Sequence, residues 1–401
     1  MLQKLVNNKI IILLITLLVI YSSGHALQTI MPQPYTNIAL AIFFFTPVLW
    51  TILKKQWKTN IIAFMLLVFM VAFQIVFNSG ANAISYISQI CIIIVAFGIS
   101  LIYKFDKVVD YYLKIMTVVT VVSLIGYVLV NNNILNLPTM ININDVEYGV
   151  GIIFNYIKTI PERNCGMFWE PGLFATYLII AIVFEIAYNP KKTNTIRLII
   201  FVLGVITAIS SAGFVLLFLC LILALVNTKN NKMSVFRALF SVVIVVVGVI
   251  VFVNLDYIIK NTPLKDNEYF VKLLSSNVED SSRFNAVLHN LQIFIEHPFG
   301  AGLNYVYIHM DHVADTSTST YILSIYGFLG LLYTIYWIYG VLKQKNINII
   351  AKIVMLIIFI LIVNKEPHLS ILFTWCILFF MLKNNTEESK IEEKTEKVLL
   401  K

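Results

Sequence analysis

The chain has 401 residues, of which 59% are hydrophobic and 12% are charged, with a mean hydropathy of +0.85. Soluble domains carry about 25% charged residues, so this composition excludes a soluble enzyme and indicates an integral membrane protein. The net charge of +8 is spread over many connecting segments rather than gathered in one patch, which argues against a nucleic-acid partner.

Apolar segments recur along almost the whole chain at the length of membrane-spanning helices. A bilayer core about 30 Å thick needs about 20 helical residues. Hydropathy predicts twelve spans, at residues 10–22, 36–53, 61–77, 84–103, 113–130, 172–188, 196–210, 212–226, 235–254, 320–342, 349–363 and 368–382. We therefore expect an all-α polytopic membrane protein with one transmembrane domain over residues 1–382. The Lys- and Glu-rich segment 383–401 is predicted to be a flexible cytoplasmic tail.

The first predicted span has the basic and apolar regions of a signal peptide, from Lys4 to Ile20. Because eleven more hydrophobic segments follow, it is predicted to be an uncleaved first helix. The small residues from Ser22 to Ala26 leave cleavage as the alternative.

Basic residues predict the orientation of these spans. With a cytoplasmic N-terminus, 22 of the 29 Lys and Arg residues lie on the cytoplasmic side and 7 lie outside. Two predicted outside loops, 131–171 and 255–319, are much longer than the others. Long loops in compact proteins are usually functional or disordered, so we expect the active surface there.

The predicted spans contain few charged residues, and the basic ones lie near their ends. Glu185 is the one acidic residue, and it lies near the cytoplasmic end of its span, where it either reaches the headgroups or hydrogen-bonds a neighbouring helix. Ion-coupled transporters usually keep ionisable residues deep within their helices. Their scarcity here argues against a transporter.

The first long loop ends in a segment that carries both a cation and a carboxylate. Arg163 and Glu170 are seven residues apart at the predicted membrane surface, joined by an aromatic stretch that includes Trp169. A lipid-linked phosphate would lie at this depth. The alternative is that Trp169 is an interfacial belt residue and Arg163 a membrane anchor.

The second long loop contains a predicted amphipathic helix that begins near residue 280 and is stopped by Pro298. Its apolar stripe comprises Phe284, Val287, Leu288, Leu291, Phe294 and Ile295. Arg283, Asn290 and His297 recur every seven residues along the border of that stripe. We expect the helix to lie on the bilayer surface and to present these three side chains at headgroup depth.

Metal or redox chemistry has little support in the sequence. His309, Asp311, His312 and Asp315 could bind a divalent cation, but their spacing fits no recognised site, so a polar loop without metal is expected. The four cysteines show no metal-ligand spacing, and three of them lie within apolar runs.

Three segments resemble, in order, motifs of bacterial Wzy-type O-antigen and capsular polysaccharide polymerases, which share a superfamily with the O-antigen ligases. Residues 163–172 resemble the family's "Arg, then Gly, then Phe-x-Glu-Pro" segment. Arg283 with residues 297–302 resembles its "Arg … His-Pro-x-Gly-x-Gly" stretch, and residues 326–332 resemble "Gly-x-x-Gly-Leu-Leu". Ligases usually carry a His-Asn pair just before this last helix, where the present chain has Ser-Thr-Ser-Thr-Tyr at 317–321. This difference favours a polymerase.

The resemblance implies polymerisation of undecaprenyl-diphosphate-linked repeat units by inverting glycosyl transfer, without cofactor or metal. The reaction would take place on the outer face of the bacterial cytoplasmic membrane. The implied partners are the lipid-linked donor and acceptor glycans and membrane lipid, together with flippase and chain-length regulator proteins.

This chemistry suggests a role for each candidate residue. The leaving diphosphate needs cations, and Arg163 and Arg283 are the arginines in the predicted outside loops. The acceptor hydroxyl must lose a proton, for which Glu170 and His297 are the predicted catalytic residues. Further substrate contacts are predicted for Trp169, His289, Asn290 and His312.

Three rival functions stay open. An O-antigen ligase of the same superfamily would differ in its acceptor. A polysaccharide or lipid transporter would require charged or broken helices at matching positions of two repeated halves. A non-enzymatic membrane scaffold would not require arginines and carboxylates in both long loops.

Overall fold

The protein is mostly helical in a computed structural model that describes residues 9–29, 33–53, 59–78, 83–142, 145–188, 193–227, 282–309, 317–345 and 347–383. The helices of the first half are α1 Lys9–Tyr21, α2 Gln33–Leu53, α3 Thr59–Asn78, α4 Ala83–Ile102, α5 Phe105–Asn131, α6 Pro171–Ala187, α7 Thr195–Ala208 and α8 Ser211–Val226. Those of the second half are α9 Ser282–Glu296, α10 Gly302–His309, α11 Thr318–Tyr326, α12 Leu331–Leu342, α13 Ile349–Val363 and α14 Leu372–Leu382. Short 3-10 helices occupy Ala26–Thr29 and Gly327–Gly330.

Helices occupy eleven of the twelve segments predicted to span the membrane, while the segment 235–254 and the tail beyond Lys383 lie outside the described residues. Four stretches are long and apolar enough to cross a bilayer: Asn60–Asn78, Ala83–Ile102, Phe105–Asn131 and Thr318–Leu342. Six further apolar helices of the described part, α1, α6, α7, α8, α13 and α14, have 11 to 17 residues. The mostly helical fold is thus observed and is compatible with a membrane protein, and the twelve crossings stay a prediction.

Polar residues fix the starts of several apolar helices. The Asn194 side chain accepts the backbone N–H of Arg197 at 3.1 Å at the start of α7, and Asn348 accepts that of Ala351 at 2.8 Å at the start of α13. Each cap satisfies an N–H group that has no partner within its helix.

The first long loop folds into a small antiparallel sheet, with β1 at Thr139–Ile141, β2 at Glu147–Val150 and β3 at Asn155–Ile157. Met140 pairs with Tyr148, and Gly149 with Tyr156. The sequence analysis predicts no strand, so the all-α expectation is wrong for this loop. Strands of three or four residues are too short for an alternating pattern to reveal them.

The contacts between helix ends agree with spans that alternate in direction. At the end of the bundle opposite the sheet, Lys383 Nζ donates to the Tyr103 carbonyl at 3.2 Å, and Asn348 Nδ2 donates to that of Val226 at 2.6 Å. The sequence analysis places all four of these residues on the cytoplasmic side. We call the other end, which carries the sheet, the sheet end.

Glu185 lies in the interior near the end opposite the sheet. Its side chain is fully buried, with Oε2 2.9 Å from Arg197 Nη1, and Oε1 accepts the Asn194 N–H at 2.6 Å. Of the two roles predicted for this residue, the structure confirms the hydrogen bond between helices. Its partners join the end of α6 to the start of α7.

Helix α9 forms where the amphipathic helix is predicted, but its packed face is not the predicted stripe. Ala286, Asn290 and Ile293 are buried, and α9 packs against α11. Leu288 and Ile295 of the stripe are 50% and 77% exposed. The prediction that Asn290 is presented at headgroup depth is therefore wrong. Periodicity identifies the apolar face of a helix, but it does not show which face another helix covers.

Single-cysteine labelling of intact cells tests the predicted orientation. Cysteines introduced at exposed positions of 131–165 and into 255–315 should react with an impermeant maleimide, whereas those in 54–60, 104–112 and 343–348 should not, because of the 22 to 7 distribution of basic residues. The native cysteines, all of them buried, are removed first. Labelling of 54–60 from outside would contradict the orientation.

Candidate functional site

The segment that leads into α6 is held by backbone pairing with the chain that follows α1. Ala26 N–H donates to the Met167 carbonyl at 3.3 Å, and Trp169 N–H donates to that of Gly24 at 3.0 Å. Between them His25 and Phe168 form an antiparallel bridge. The stretch Ser22–Ala26, considered above as a cleavage site, thus lies against the predicted functional loop.

Two asparagines fix the turn between Arg163 and Glu170. Asn164 is buried, donates to Thr207 Oγ1 at 3.1 Å and accepts the N–H of Gly166 at 2.9 Å. Gly166 has a φ of +59°, which a residue with a Cβ rarely adopts. Asn155 Nδ2 donates to the Met167 carbonyl at 2.5 Å. The turn is therefore anchored both to the sheet and to α7.

Arg163 and Glu170 both act electrostatically on one buried thiol, that of Cys165. Burial raises the pKa of Cys165 to about 12, while Arg163 acts to lower that pKa and Glu170 to raise it. Burial also raises the pKa of Tyr148 on β2 to about 12, with smaller contributions from Cys165 and Glu170. We call these four residues the loop cluster. Its thiol stays protonated at neutral pH, so it is not a nucleophile.

The two charged residues of the loop cluster do not neutralise each other. Arg163 Nε is buried and donates to no acceptor in the part of the chain that the structure describes. Glu170 directly precedes α6, yet its side chain makes no capping hydrogen bond. No ion pair joins the two among the described residues. Both side chains are half-buried, and neither charge is offset by the other.

Trp169 packs beside the loop cluster. Its half-buried ring lies against the small core of Ala26, Tyr148, Ile157 and Cys165. This packing explains the residue without a substrate, so the predicted substrate contact stays a prediction.

A buried turn between α13 and α14, residues 364–371, is missing from the sequence-based site. Lys365 Nζ donates to the Gly172 carbonyl in the first turn of α6 at 2.6 Å, and it lies 3.9 Å from Glu366 Oε1. Both charged side chains are only 4% exposed. His368 Nδ1 is 2.7 Å from Thr374 Oγ1. Burial, with a smaller contribution from Lys365, lowers the pKa of His368 to about 3, so this ring is neutral.

The predicted twelfth span includes His368, but α14 begins only at Leu372. The signal that could have identified the buried turn is the run of Lys365, Glu366 and His368 between two short apolar segments. Ionisable residues in such a place are functional candidates by default.

The buried turn is bonded to the start of α11. Thr318 Oγ1 donates to the Glu366 carbonyl at 2.8 Å and accepts the N–H of His368 at 2.9 Å. Asn364 Oδ1 accepts the Ser317 hydroxyl at 3.2 Å. The network continues to α9, because Thr320 Oγ1 donates to Ser317 Oγ. At the far end, Asn290 bonds both Thr320 and Ser324.

The second and third motifs of the resemblance meet at the break between α11 and α12. Phe328 N–H donates to the Pro298 carbonyl and Ala301 N–H to that of Ser324, both at 2.9 Å. Gly327 adopts a φ of +58°, and a Cβ there would collide with the Pro298 backbone. The glycine in this motif therefore permits close packing of two chain segments.

His297 lies beside the motif contact and not in the loop cluster. Its half-buried ring meets Tyr305 edge-on with centroids 4.7 Å apart, and Tyr305 stacks on His309 at 4.0 Å. Neither a hydrogen bond nor an ion pair joins His297 to Glu170 in the described ranges. The structure thus shows no direct contact between the two predicted catalytic residues within those ranges.

Other candidate residues are only partly placed. His289 is exposed on α9, and Arg283 belongs to the first turn of that helix, where only the backbone is described. His312, Asp311 and Asp315 lie outside the described residues. Within the described part, no group of three or more His, Cys, Asp or Glu residues could hold a metal ion.

Comparison with protein-family models, with curated proteins and with solved structures finds no match to this chain. The family resemblance therefore rests on the motifs themselves.

Proposed function

We propose that the protein polymerises undecaprenyl-diphosphate-linked oligosaccharide repeat units into a surface polysaccharide, O-antigen or capsule. The reaction would occur on the outer face of a bacterial cytoplasmic membrane. The observation that carries the proposal is the loop cluster, in which Arg163 and Glu170 both act on the Cys165 thiol and form no ion pair with each other among the described residues.

The proposed reaction uses both residues. The acceptor hydroxyl oxygen attacks the anomeric carbon of the donor glycan from the face opposite the diphosphate, so the configuration inverts. Glu170 takes the hydroxyl proton, and the diphosphate leaves with the electron pair of the glycosidic bond. Arg163 offsets the growing negative charge with a fork that suits phosphate oxygens. The first turn of α6 adds N–H groups and a helix dipole, which also favour an anion.

A transporter is the second candidate, and the buried turn is the observation that favours it. Lys365, Glu366 and His368 form a buried ionisable group of the kind that carries protons or ions in transporters. A transporter would move lipid-linked glycan across a bilayer without lengthening it. An O-antigen ligase would join the glycan to a different acceptor.

Reconstitution separates these functions. Purified protein in liposomes with lipid-linked repeat units should lengthen the glycan in excess EDTA, because arginine replaces a divalent cation at the diphosphate. A His309→Ala, His312→Ala double variant should keep this metal-insensitive activity. If chelation abolished glycan lengthening and one divalent ion restored it, the proposal would be contradicted. The site would then be assigned near His309.

Arg163→Lys and Arg283→Lys should each abolish most polymer while the protein stays inserted. A lysine keeps the charge but cannot replace a two-pronged contact with phosphate oxygens. The chain-length distribution on gels measures the effect. Lys158→Arg is the matched control, because Lys158 lies in the same loop and is paired with Glu147 at 3.1 Å. Normal distributions in both lysine variants would exclude phosphate binding by these arginines.

A further inference from the structure

His25 occupies a central position in the contact between the α1 end and the functional loop. Its side chain is 1% exposed, and its ring stacks on Tyr21 with centroids 4.7 Å apart and an angle of 11°. The residue pairs with Phe168, which lies two residues before Glu170. None of the functions considered above gives His25 a role.

The contacts of His25 define its protonation state. Leu27 N–H donates to Nδ1 at 3.1 Å, so this nitrogen carries no proton. Nε2 is then the protonated nitrogen of a neutral ring, and it donates to the Ile152 carbonyl at 3.2 Å. The Tyr21 hydroxyl donates to the same carbonyl. One neutral imidazole thus joins the end of α1 to the turn between β2 and β3.

A second proton would break this arrangement. A protonated Nδ1 would face the Leu27 N–H, so two donors would meet and one hydrogen bond would be lost. The groups around the ring are the Tyr21 phenol and the backbone of Leu27, Gly151 and Ile152. Of these groups, the Tyr21 phenol is the titratable one. No charged side chain of the described residues shifts the pKa of His25. The imidazolium would be buried without a compensating carboxylate.

We propose that His25 is a positioning residue whose neutral imidazole ties the end of α1 to the turn between β2 and β3, so that the backbone pairing of residues 24–26 with residues 167–169 holds the loop cluster, and that a second proton releases this clamp. The clamp is the pair of hydrogen bonds that the imidazole makes with the Leu27 N–H and the Ile152 carbonyl. The effect of the clamp on catalysis rests on the proposed function, whereas the release of the clamp by acid does not.

The sign of the pH dependence follows from the environment of the ring. Burial lowers the pKa of His25 below its ordinary 6.5, although the carbonyls of Ile152 and Gly151 oppose this. The clamp's stabilisation is therefore complete above pH 6.5. This stabilisation declines as the pH falls below 6.5. It is lost once the pH reaches the lower pKa that His25 has in the folded protein. In that window the opened population should rise about tenfold per pH unit.

Reactivity of the Cys165 thiol measures the opening without reference to any activity. Cys165 is fully buried in the core that Ala26 helps to cover, and replacing Cys91, Cys220 and Cys376 with alanine leaves it as the one thiol. A dithiodipyridine, which reacts with thiols in weak acid, is applied to the purified full-length chain between pH 8 and pH 4. Rates are normalised to those of free cysteine. We expect protection above pH 6.5 and a rise of about tenfold per pH unit below it.

His25→Asn is the decisive variant, because Asn Oδ1 can accept the Leu27 N–H and does not titrate. Its normalised thiol rate should not change with pH. His25→Gln, which retains a donor for the Ile152 carbonyl, serves if the asparagine variant does not insert. The proposal would be overturned if the normalised thiol rate of the parent protein did not rise in acid, or if that of the variant rose by as much.

The activity profile separates this inference from the proposed function. Polymerisation by the parent should fall more steeply in acid than polymerisation by His25→Asn, which keeps only the loss due to the proposed base Glu170. If the thiol rate rises in acid but the protein lengthens no glycan at any pH, the clamp stands and the polymerase proposal falls. If the thiol rate does not rise, the clamp falls whatever the activity shows.

Discussion

Glu170→Gln should slow glycan lengthening by about 10²–10⁴-fold, the usual contribution of a positioned general base. Glutamine keeps the shape of the side chain but cannot take the acceptor proton. The fold should tolerate the change, because Glu170 makes no capping hydrogen bond to α6. Initial rates with purified protein measure the first effect, and thermal unfolding in detergent measures the second.

Glu162→Gln is the matched control for this variant. Glu162 lies in the same loop and contributes its backbone carbonyl to the Tyr127 hydroxyl at 3.0 Å, a contact that the substitution leaves in place. A near-normal rate for folded Glu170→Gln would exclude Glu170 as the proton acceptor. His297 would then be the better candidate, and the proton would be taken beside the α11–α12 break instead of in the loop cluster.

The helical part of the fold could be predicted because a bilayer imposes a length on apolar segments. The sheet of the first loop could not, since its strands have three or four residues and β3 is buried throughout. The backbone pairing of Gly24–Ala26 with Met167–Trp169 joins segments that are about 140 residues apart in sequence. No local pattern encodes such a contact.

The loop cluster and the residues spaced by seven along α9 show how much of a site sequence motifs can predict. Arg163 and Glu170 are predicted to act together because they are near in sequence, and in the structure both act electrostatically on Cys165. A seven-residue spacing groups Asn290 with Arg283 and His297. Asn290 is nevertheless buried, and its amide is satisfied by Thr320 and Ser324.

The buried turn was missed because its composition resembles that of an ordinary solvated loop. Its burial depends on Gly172, where an added Cβ would come within 2.7 Å of Glu366 Oε1. A glycine in the first turn of α6 thus makes room for charged groups nearly 200 residues away in sequence. Periodicity and spacing within either segment do not reveal this fit.

Lys365→Met should reduce the free energy of unfolding by about 3–5 kcal/mol, the usual effect of removing one partner of a buried ion pair. The substitution leaves Glu366 buried at 4% exposure without the ammonium group beside it, and it removes the donor to the Gly172 carbonyl. Thermal or denaturant unfolding of the purified protein in detergent measures the loss.

Two further variants identify the cause of that loss. Lys158→Met removes a lysine from an exposed pair with Glu147, for which about 0–1 kcal/mol is expected. The double variant Lys365→Met, Glu366→Gln should lose less than the sum of its single variants, because the second change removes the charge that the first leaves uncompensated. Strict additivity would show that Lys365 and Glu366 do not stabilise each other. The buried turn would then hold α6 and α11 through its hydrogen bonds to Gly172, Ser317 and Thr318, and the 3.9 Å contact between the charges would carry no energy.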